Sequence, residues 1–343
     1  MTSQAEPLIS VLTPVYNGEK FLAQCIRSVL AQTYSNFRYT IVNNCSTDGT
    51  LEIAQSFARQ DTRIRVHNNT EFLSVVDNHN KAFSLIDEGA KYCKIVGADD
   101  WLFPNCISEL VKVAEEYPTV GMVTSYVLVG SYVGWDGLPF PSTFMKGRDV
   151  CRLRLLKGVK VFGGPSASLL RASVVKERQP FYKLGNYHGD TEAYLDLLQE
   201  HDFGYVHQVL SYNRRGEDSR TTHFLQKVNS YMVADIEELT RYGPIYLTSE
   251  ERDARLRDAT KRYYQFLGQS VLEMQGKKFW AYHRERMQSL GLSIDYFKLS
   301  RYVAYRMLDA LLNPKRTIVS LLRRILGRTR FYRRAPAASA SAS

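Results

Sequence analysis

The stretch that decides the fold is ISVLTPVYNGEKFLAQCIRSVLAQTYSNFRYTIVNNCSTDGT, residues 9–50. It includes most of a strand-like apolar run over 8–16, a segment with apolar residues at helical spacing over 19–32, and a second strand-like run over 37–43. Strands and helices that alternate over such short connections are typical of an α/β fold with a largely parallel sheet. We therefore expect ligands to bind at the carboxyl ends of the strands.

The same alternation continues to about residue 130. The sequence predicts further strands over 63–68, 92–97 and 120–129, and helices over 48–60, 75–89 and about 105–117. After residue 135 the pattern is less regular, and from about 217 onward nearly everything is helical. These shifts predict one α/β domain over 1–215 and a helical extension over 216–313.

Composition places the chain among ordinary globular proteins, with 44% hydrophobic and 23% charged residues in 343. Its five cysteines are scattered and form no CxxC pair, which argues against a disulfide framework and a structural zinc site. The first residues lack the basic start and apolar core of a signal peptide. We predict a cytoplasmic protein, peripheral at the inner face of the plasma membrane.

The net charge of +10 is concentrated near the end of the chain. Between Lys298 and Arg334 there are eleven Lys and Arg residues against one acid, Asp309, so the rest of the chain is neutral. A nucleic-acid-binding body is therefore not expected. The apolar and arginine faces of 316–330 predict a basic amphipathic helix over 314–334, either a membrane-surface anchor or a packing helix. Residues 335–343 are of low complexity and are predicted to be disordered.

Three polar segments follow predicted strands: TPVYNGE (13–19), NNCSTDG (43–49) and GADD (97–100). In a parallel sheet all three lie along one edge. An aromatic ring and amide side chains can bind a base, and adjacent carboxylates can hold a ribose and a divalent cation. Hard oxygen ligands favour Mg²⁺ or Mn²⁺. The side chains concerned are Tyr16, Asn17, Asn43, Asn44, Asp99 and Asp100.

The order of these motifs resembles the family-2 glycosyltransferases, of bacterial surface-polysaccharide type, over roughly residues 8–215. The resemblance implies a GT-A fold, a Rossmann-like, mixed but mostly parallel sheet flanked by helices. It also implies a base pocket lined by the segment PVYNGE and by a side chain after the second strand. That family usually has an acid after the second strand, whereas this chain has asparagines, so uridine is not assumed. The base-pocket residues implied are Pro14, Tyr16, Asn17, Glu19 and Asn44.

The family's acidic motif often reads DADD, and here it reads GADD, with Gly97 at the first acid. By resemblance, Asp99 contacts the ribose of the donor. Asp100 binds the divalent cation, Mn²⁺ or Mg²⁺, on the diphosphate. Arg214 or Arg215 in the segment SYNRRGEDS is placed to approach the same diphosphate, or else belongs to a solvated charge run.

An inverting transfer also needs a base that accepts the proton of the acceptor hydroxyl. Many relatives carry a GED segment at the start of a helix, and the matching segment here is YHGDTEAYLDLL. Asp190 is the implied base, with Glu192 and His188 as alternatives. Asp190 is also in a position to act only as a helix cap.

The resulting expectation is an inverting, hexosyltransferase-type enzyme that uses a nucleoside-diphosphate sugar. Its acceptor is a hydroxyl of a glycan or lipid-linked saccharide in cell-surface polysaccharide synthesis. Two alternatives stay open: a degenerate relative that only binds glycans, and a sugar nucleotidyltransferase. The second class usually has a glycine-rich loop with Arg or Lys after its first strand, which TPVYNGE is not.

Overall fold

The computed structural model describes residues 6–183, 188–214, 225 and 227–313. Its contacts divide the chain into two compact units: Met1–His223 with Arg241–Arg252, and Phe224–Thr240 with Asp253–Ser343. The first unit thus runs a few residues beyond the predicted boundary at 215 and also contains a later segment. The predicted basic helix at 314–334 and the tail at 335–343 lie outside the described residues.

The strands of the first unit follow the predicted alternation closely. Most of the long strands are rich in apolar or β-branched residues and buried over most of their length, as expected for a sheet covered on both faces. The strands are β1 (Ile9–Val15), β2 (Phe37–Asn43), β3 (Ile64–Asn68), β4 (Tyr92–Ile95), β5 (Trp101–Leu102), β6 (Val120–Val129), β7 (Tyr132–Gly134), β8 (Phe144–Met145), β9 (Leu169–Arg171) and β10 (Asp202–Asn213).

These strands form one sheet in the order β3-β2-β1-β4-β9-β6-β10-β5, with β7 on β6 and β8 on β10. Strands β1, β2, β3 and β4 are parallel, and so are β6 and β10. Strand β9 pairs antiparallel with both β4 and β6. The sheet is therefore mixed and mostly parallel, as the sequence predicts.

Helices of the first unit pack on this sheet through regularly spaced apolar residues. In the first helix Leu22, Cys25, Ile26 and Val29 are buried, which is the spacing of one helical face. The predicted helix over 75–89 is shorter than expected, because hydrogen-bonded turns replace it after Ser84. The helices are α1 (Leu22–Leu30), α2 (Thr50–Gln60), α3 (Val75–Ser84), α4 (Cys106–Glu116), α5 (Gly147–Lys157), α6 (Ala172–Glu177) and α7 (Gly189–Leu197).

The second unit is helical in its described part. A buried ion pair joins Glu237 to Arg286 at 2.6 Å, and the fully buried His283 lies between Tyr263 and the carbonyl of Val228. No helix in the described part of the chain is long and apolar enough to cross a membrane. The later helices of the chain are α8 (Tyr231–Tyr246), α9 (Ser249–Leu272), α10 (Lys277–Ser289) and α11 (Tyr296–Leu312), with Arg241–Arg252 belonging to the first unit.

Strand direction explains which loops meet at the site. The carboxyl ends of β1, β2 and β4 lie at one edge because these strands are parallel. Since β9 is antiparallel to β4, with Leu170 opposite Cys93, the residues before β9 lie beside the carboxyl end of β4. The carboxyl end of β10 lies at the same edge, and it carries Arg214 there.

Candidate active site

The turn after β1 and the loop after β2 are joined into one unit by hydrogen bonds. The backbone N–H of Thr47 donates to Asn17 Oδ1 at 2.8 Å, and that of Gly49 donates to Glu19 Oε2 at 2.7 Å. Asn17 has a φ of 51°, a left-handed conformation that asparagine tolerates better than most residues. Asn17 and Glu19 therefore hold the two loops together at the predicted base pocket, which Pro14 borders from within β1.

Asn44 follows β2 and is only 3% exposed. Its Nδ2 donates to the carbonyl of Leu73 at 2.9 Å, and its Oδ1 accepts from the N–H of Leu73 at 2.9 Å and from Asn69 Nδ2 at 3.0 Å. A carboxylate at this position has no proton to donate to the Leu73 carbonyl. The amide thus fixes the loop after β3, and direct contact of Asn44 with a base stays a prediction.

That loop presents a second exposed aromatic ring beside Tyr16. Tyr16 is 49% exposed and Phe72 is 61% exposed, and their rings meet edge to face at 4.8 Å between centroids. Together they form an exposed aromatic surface at the carboxyl edge of the sheet. Phe72 is not predicted from the sequence, because a single phenylalanine in an irregular loop has no periodic signal.

The acidic pair lies just beyond β4, and Asp100 is held from two sides. The hydroxyl of Ser166 donates to Asp100 Oδ2 at 2.6 Å, and the backbone N–H of Arg214 donates to Oδ1 at 3.0 Å. The N–H of Gly97 donates to Ser166 Oγ at 2.9 Å, and the fully buried Lys94 donates to the carbonyl of Ser166 at 2.7 Å. Ser166 therefore connects β4, the turn before β9 and the acidic pair.

Both carboxyl groups lie where ionisation is unfavourable. Burial, reinforced by repulsion from Asp99, raises the pKa of Asp100 to about 7 despite the hydrogen bonds from Ser166 and Arg214. Burial also raises the pKa of Asp99, against the attraction of the Arg214 guanidinium. If both groups are ionised, the pair thus carries an excess of negative charge that its surroundings do not fully offset.

This excess fits a divalent cation. Within the described ranges, no group of three or more His, Cys, Asp or Glu is arranged as a metal site. Mg²⁺ and Mn²⁺ are commonly held by only one or two carboxylates, with substrate phosphates and water completing the shell. Two adjacent carboxyl groups at a strand end therefore suit a cation that arrives with a diphosphate.

Gly97 leaves room for the acidic pair. A Cβ atom at this position lies 2.9 Å from Asp100 Oδ2 and 3.4 Å from Asp99 Oδ1. Any side chain there requires the Asp100 carboxylate to move. The absence of a side chain at Gly97 thus allows the Asp100 carboxylate to accept its hydrogen bond from Ser166.

Arg214 lies against the same site. Its Nε donates to the carbonyl of Asp99 at 3.1 Å, its guanidinium donates to Gln24 at 2.9 Å, and its cation lies 3.8 Å from the centroid of the Phe21 ring. Trp101 stacks on Tyr212 at 3.7 Å between centroids. Arg215, the alternative in the sequence, lies outside the described residues.

The three candidates for the catalytic base lie at the start of α7. Asp190 Oδ1 accepts from the N–H of Thr191 at 2.7 Å, and its charge contributes to the raised pKa of the buried Tyr194. Glu192 is 4% exposed and pairs with Arg241 at 2.6 Å, so its carboxylate is committed to an ion pair. His188 directly precedes α7. The choice of Asp190 as the base therefore stays a prediction.

Comparison with known proteins agrees with this geometry. Residues 10–178 match the sequence model of glycosyl transferase family 2. The chain is 32% identical over 145 residues to the glycosyltransferase GlyG of Streptococcus pneumoniae, a match that covers 42% of this chain and 46% of GlyG. It is 34% identical over 255 residues to the uncharacterized protein MT1568 of Mycobacterium tuberculosis, covering 67% of this chain and 77% of that one. The chain thus spans about half the length of GlyG and more of MT1568.

The fold is similar to that of a solved structure, S. aureus TarS 1-349 in complex with UDP-GlcNAc. The TM-score is 0.60 at 16% identity, and the match covers 86% of this chain and 87% of TarS 1-349. At that identity the likeness shows the fold alone, and it confirms the predicted GT-A architecture. The family match itself identifies residues 10–178 of this chain as a glycosyl transferase family 2 domain.

Proposed function

We propose that this chain is an inverting glycosyltransferase of hexosyltransferase type. It transfers a sugar from a nucleoside-diphosphate sugar to a hydroxyl of a glycan or lipid-linked saccharide in the synthesis of a cell-surface polysaccharide. The observation that carries this proposal is the acidic pair at the carboxyl edge of the sheet, in which Asp100 is buried and accepts hydrogen bonds from Ser166 and Arg214.

The donor is held by loops that the fold brings to one edge. Tyr16 and Phe72 offer an exposed aromatic surface for the base. Asn17, Glu19 and Asn44 shape the pocket behind that surface through hydrogen bonds of their side chains to neighbouring loops. Pro14, within β1, contributes its ring to the same pocket. The choice of nucleotide base then depends on how the loops after β1, β2 and β3 are held together.

The ribose and the diphosphate belong at the acidic motif. Asp99 binds the ribose, Asp100 would hold a divalent cation, Mn²⁺ or Mg²⁺, and Arg214 adds a fixed positive charge beside them. When bound, such a cation would supply positive charge against the negative charge that develops on the departing nucleoside diphosphate. The guanidinium of Arg214, held by Gln24 and Phe21, likewise offsets negative charge on the diphosphate.

The acceptor side requires a base on the face of the sugar opposite the leaving group. Asp190 accepts the proton of the acceptor hydroxyl, so that the oxygen attacks as an alkoxide-like nucleophile. The Thr191 N–H bonds to one oxygen of this carboxylate and orients it. Growing surface glycans and lipid-linked saccharides offer such hydroxyls at the cytoplasmic face of the membrane, where we place the enzyme.

The test is calorimetric titration with UDP, GDP, CDP and dTDP, each with and without Mn²⁺. We expect tight, metal-dependent binding of one nucleotide. That binding is lost in Asp100→Ala and retained in Glu116→Ala, an acid exposed at the end of α4. Hydrolysis of the matching nucleotide sugar then separates an enzyme from a degenerate, glycan-binding relative. A folded protein that binds none of the four nucleotides contradicts the proposal.

A further inference from the structure

Helix α11 (Tyr296–Leu312) has large apolar side chains on its solvent side. Phe297 is 75% exposed and Leu311 is 76% exposed, values typical of polar surface residues. A contiguous apolar surface of this kind on a helix usually marks an interaction site. We call this surface the outer face of α11; its members are Phe297, Tyr305, Met307, Leu308, Leu311 and Leu312.

The rotation of α11 is set by its packing on α9. A Cβ atom at Gly268 lies 3.2 Å from Tyr302 Cβ, which shows how closely the two helices approach there. The rings of Tyr302 and Tyr264 stack at 6.2 Å, and Leu299 is 6% exposed. At about 100° per residue, Phe297, Leu308 and Leu311 then lie on the opposite side of the helix. Their exposure is therefore a property of the packed unit.

The positive charge of α11 and of the residues after it indicates what covers the outer face. From Lys298 to Arg334 the chain carries eleven basic residues and one acid, Asp309, and thirty residues, 314–343, follow the described end of the chain. Helix α11 itself carries Lys298, Arg301 and Arg306 against Asp309. A second copy placed on the outer face sets these like charges against each other. An anionic lipid surface complements this charge and takes up apolar side chains.

We propose that the outer face of α11 is a docking surface for anionic lipid bilayers. The helix lies along the surface, with Phe297, Leu308 and Leu311 at the acyl boundary and the flanking basic residues at the lipid phosphates. The apolar side chains of α11 thus supply the hydrophobic part of membrane binding. Its basic residues Lys298, Arg301 and Arg306 supply the electrostatic part. This proposal does not depend on the donor site.

The experiment is flotation of the full chain with vesicles of phosphatidylglycerol and phosphatidylcholine, compared with vesicles of phosphatidylcholine alone. The variant Leu308→Glu/Leu311→Glu keeps the packed face of α11 intact. We expect its partition onto the anionic vesicles to fall about tenfold or more, because two leucines can no longer leave water. The matched control is Phe140→Glu, which changes a side chain that is 79% exposed in the first unit and should leave partition unchanged.

A single change, Leu311→Ser near the end of the helix, must weaken partition in the same direction with an unchanged circular dichroism spectrum. Equal binding of wild type and both variants overturns the proposal, because the basic end alone then accounts for binding. Equal binding to neutral vesicles overturns it too, as does no binding to either vesicle. Light scattering that shows a dimer converted to monomer by Leu308→Glu/Leu311→Glu instead assigns the face to a second copy. No sugar donor is present, so none of these outcomes bears on the transferase proposal.

Discussion

Replacing Ser166 by alanine should weaken cation binding without touching a ligand of the cation. The Ser166 hydroxyl donates to Asp100 Oδ2 at 2.6 Å and accepts from the N–H of Gly97 at 2.9 Å. Alanine removes both bonds and, among the described residues, leaves the backbone N–H of Arg214 as the one donor that orients the Asp100 carboxylate. The Asp100 carboxylate can then rotate, because its Oδ2 no longer accepts a hydrogen bond from Ser166.

The magnitude follows from the kind of bond lost. A hydrogen bond to an ionised group contributes about 1.5–3 kcal/mol, and loss of a partner behind a metal ligand typically costs about 10–100-fold in metal affinity. We expect Ser166→Ala to bind Mn²⁺ about 10–100-fold more weakly in the presence of nucleotide. The unpaired Gly97 N–H also lowers the free energy of unfolding by about 1–3 kcal/mol.

The assay is titration of Mn²⁺ followed by electron paramagnetic resonance, with and without the nucleoside diphosphate that binds. Ser168→Ala is the matched control, because its hydroxyl lies after the same turn but donates to the carbonyls of Phe162 and Gly164. Nucleotide binding without metal should stay unchanged in both variants. If Ser166→Ala binds Mn²⁺ as tightly as the wild type does, Ser166 does not position Asp100 for the cation, and this prediction is wrong.

Three further predictions concern other parts of the chain. Asp190→Asn should abolish sugar transfer yet leave nucleotide affinity intact by calorimetry; appreciable turnover would remove Asp190 as the base. Phe72→Ala should weaken nucleotide binding by about 1 kcal/mol or more through lost stacking, whereas Phe140→Ala should not; equal affinities would exclude Phe72 from the base site. Burial lowers the pKa of His283 to about 4, below its ordinary 6.5. The folded state therefore binds fewer protons than the unfolded one between these values, and the second unit should lose about 3 kcal/mol of stability as pH falls from about 6.5 to 4. Urea unfolding across that range should show this loss, and a flat pH profile in wild type would contradict it.

Much of the donor side can be predicted from local pattern. The bounds of β2 and β6 agree with the predicted runs 37–43 and 120–129, because burial on both faces selects continuous apolar residues. The rule that ligands meet strand carboxyl ends predicts Tyr16, Asn44 and Asp100 at one edge of the sheet, and the parallel β1, β2 and β4 bring them there. The sequence by itself therefore determined the fold class and the edge at which the candidate site lies.

Only the tertiary structure decided which side chains complete that site. Strand β9 lies antiparallel between β4 and β6, and this long-range pairing alone brings Ser166 to Asp100, from 66 positions away. The amide of Asn44 could be assigned to a base from its position, but its bonds to Leu73 depend on where the loop after β3 passes.

In α11 too, the sequence and the tertiary packing determine different features. The periodicity of 296–312 determined that a helix forms, since spacing along the chain controls local conformation. It did not determine which face is buried. Packing at Gly268 turned Tyr302 inward and left Phe297 and Leu311 in solvent, because the close approach of two helices depends on the shape of both.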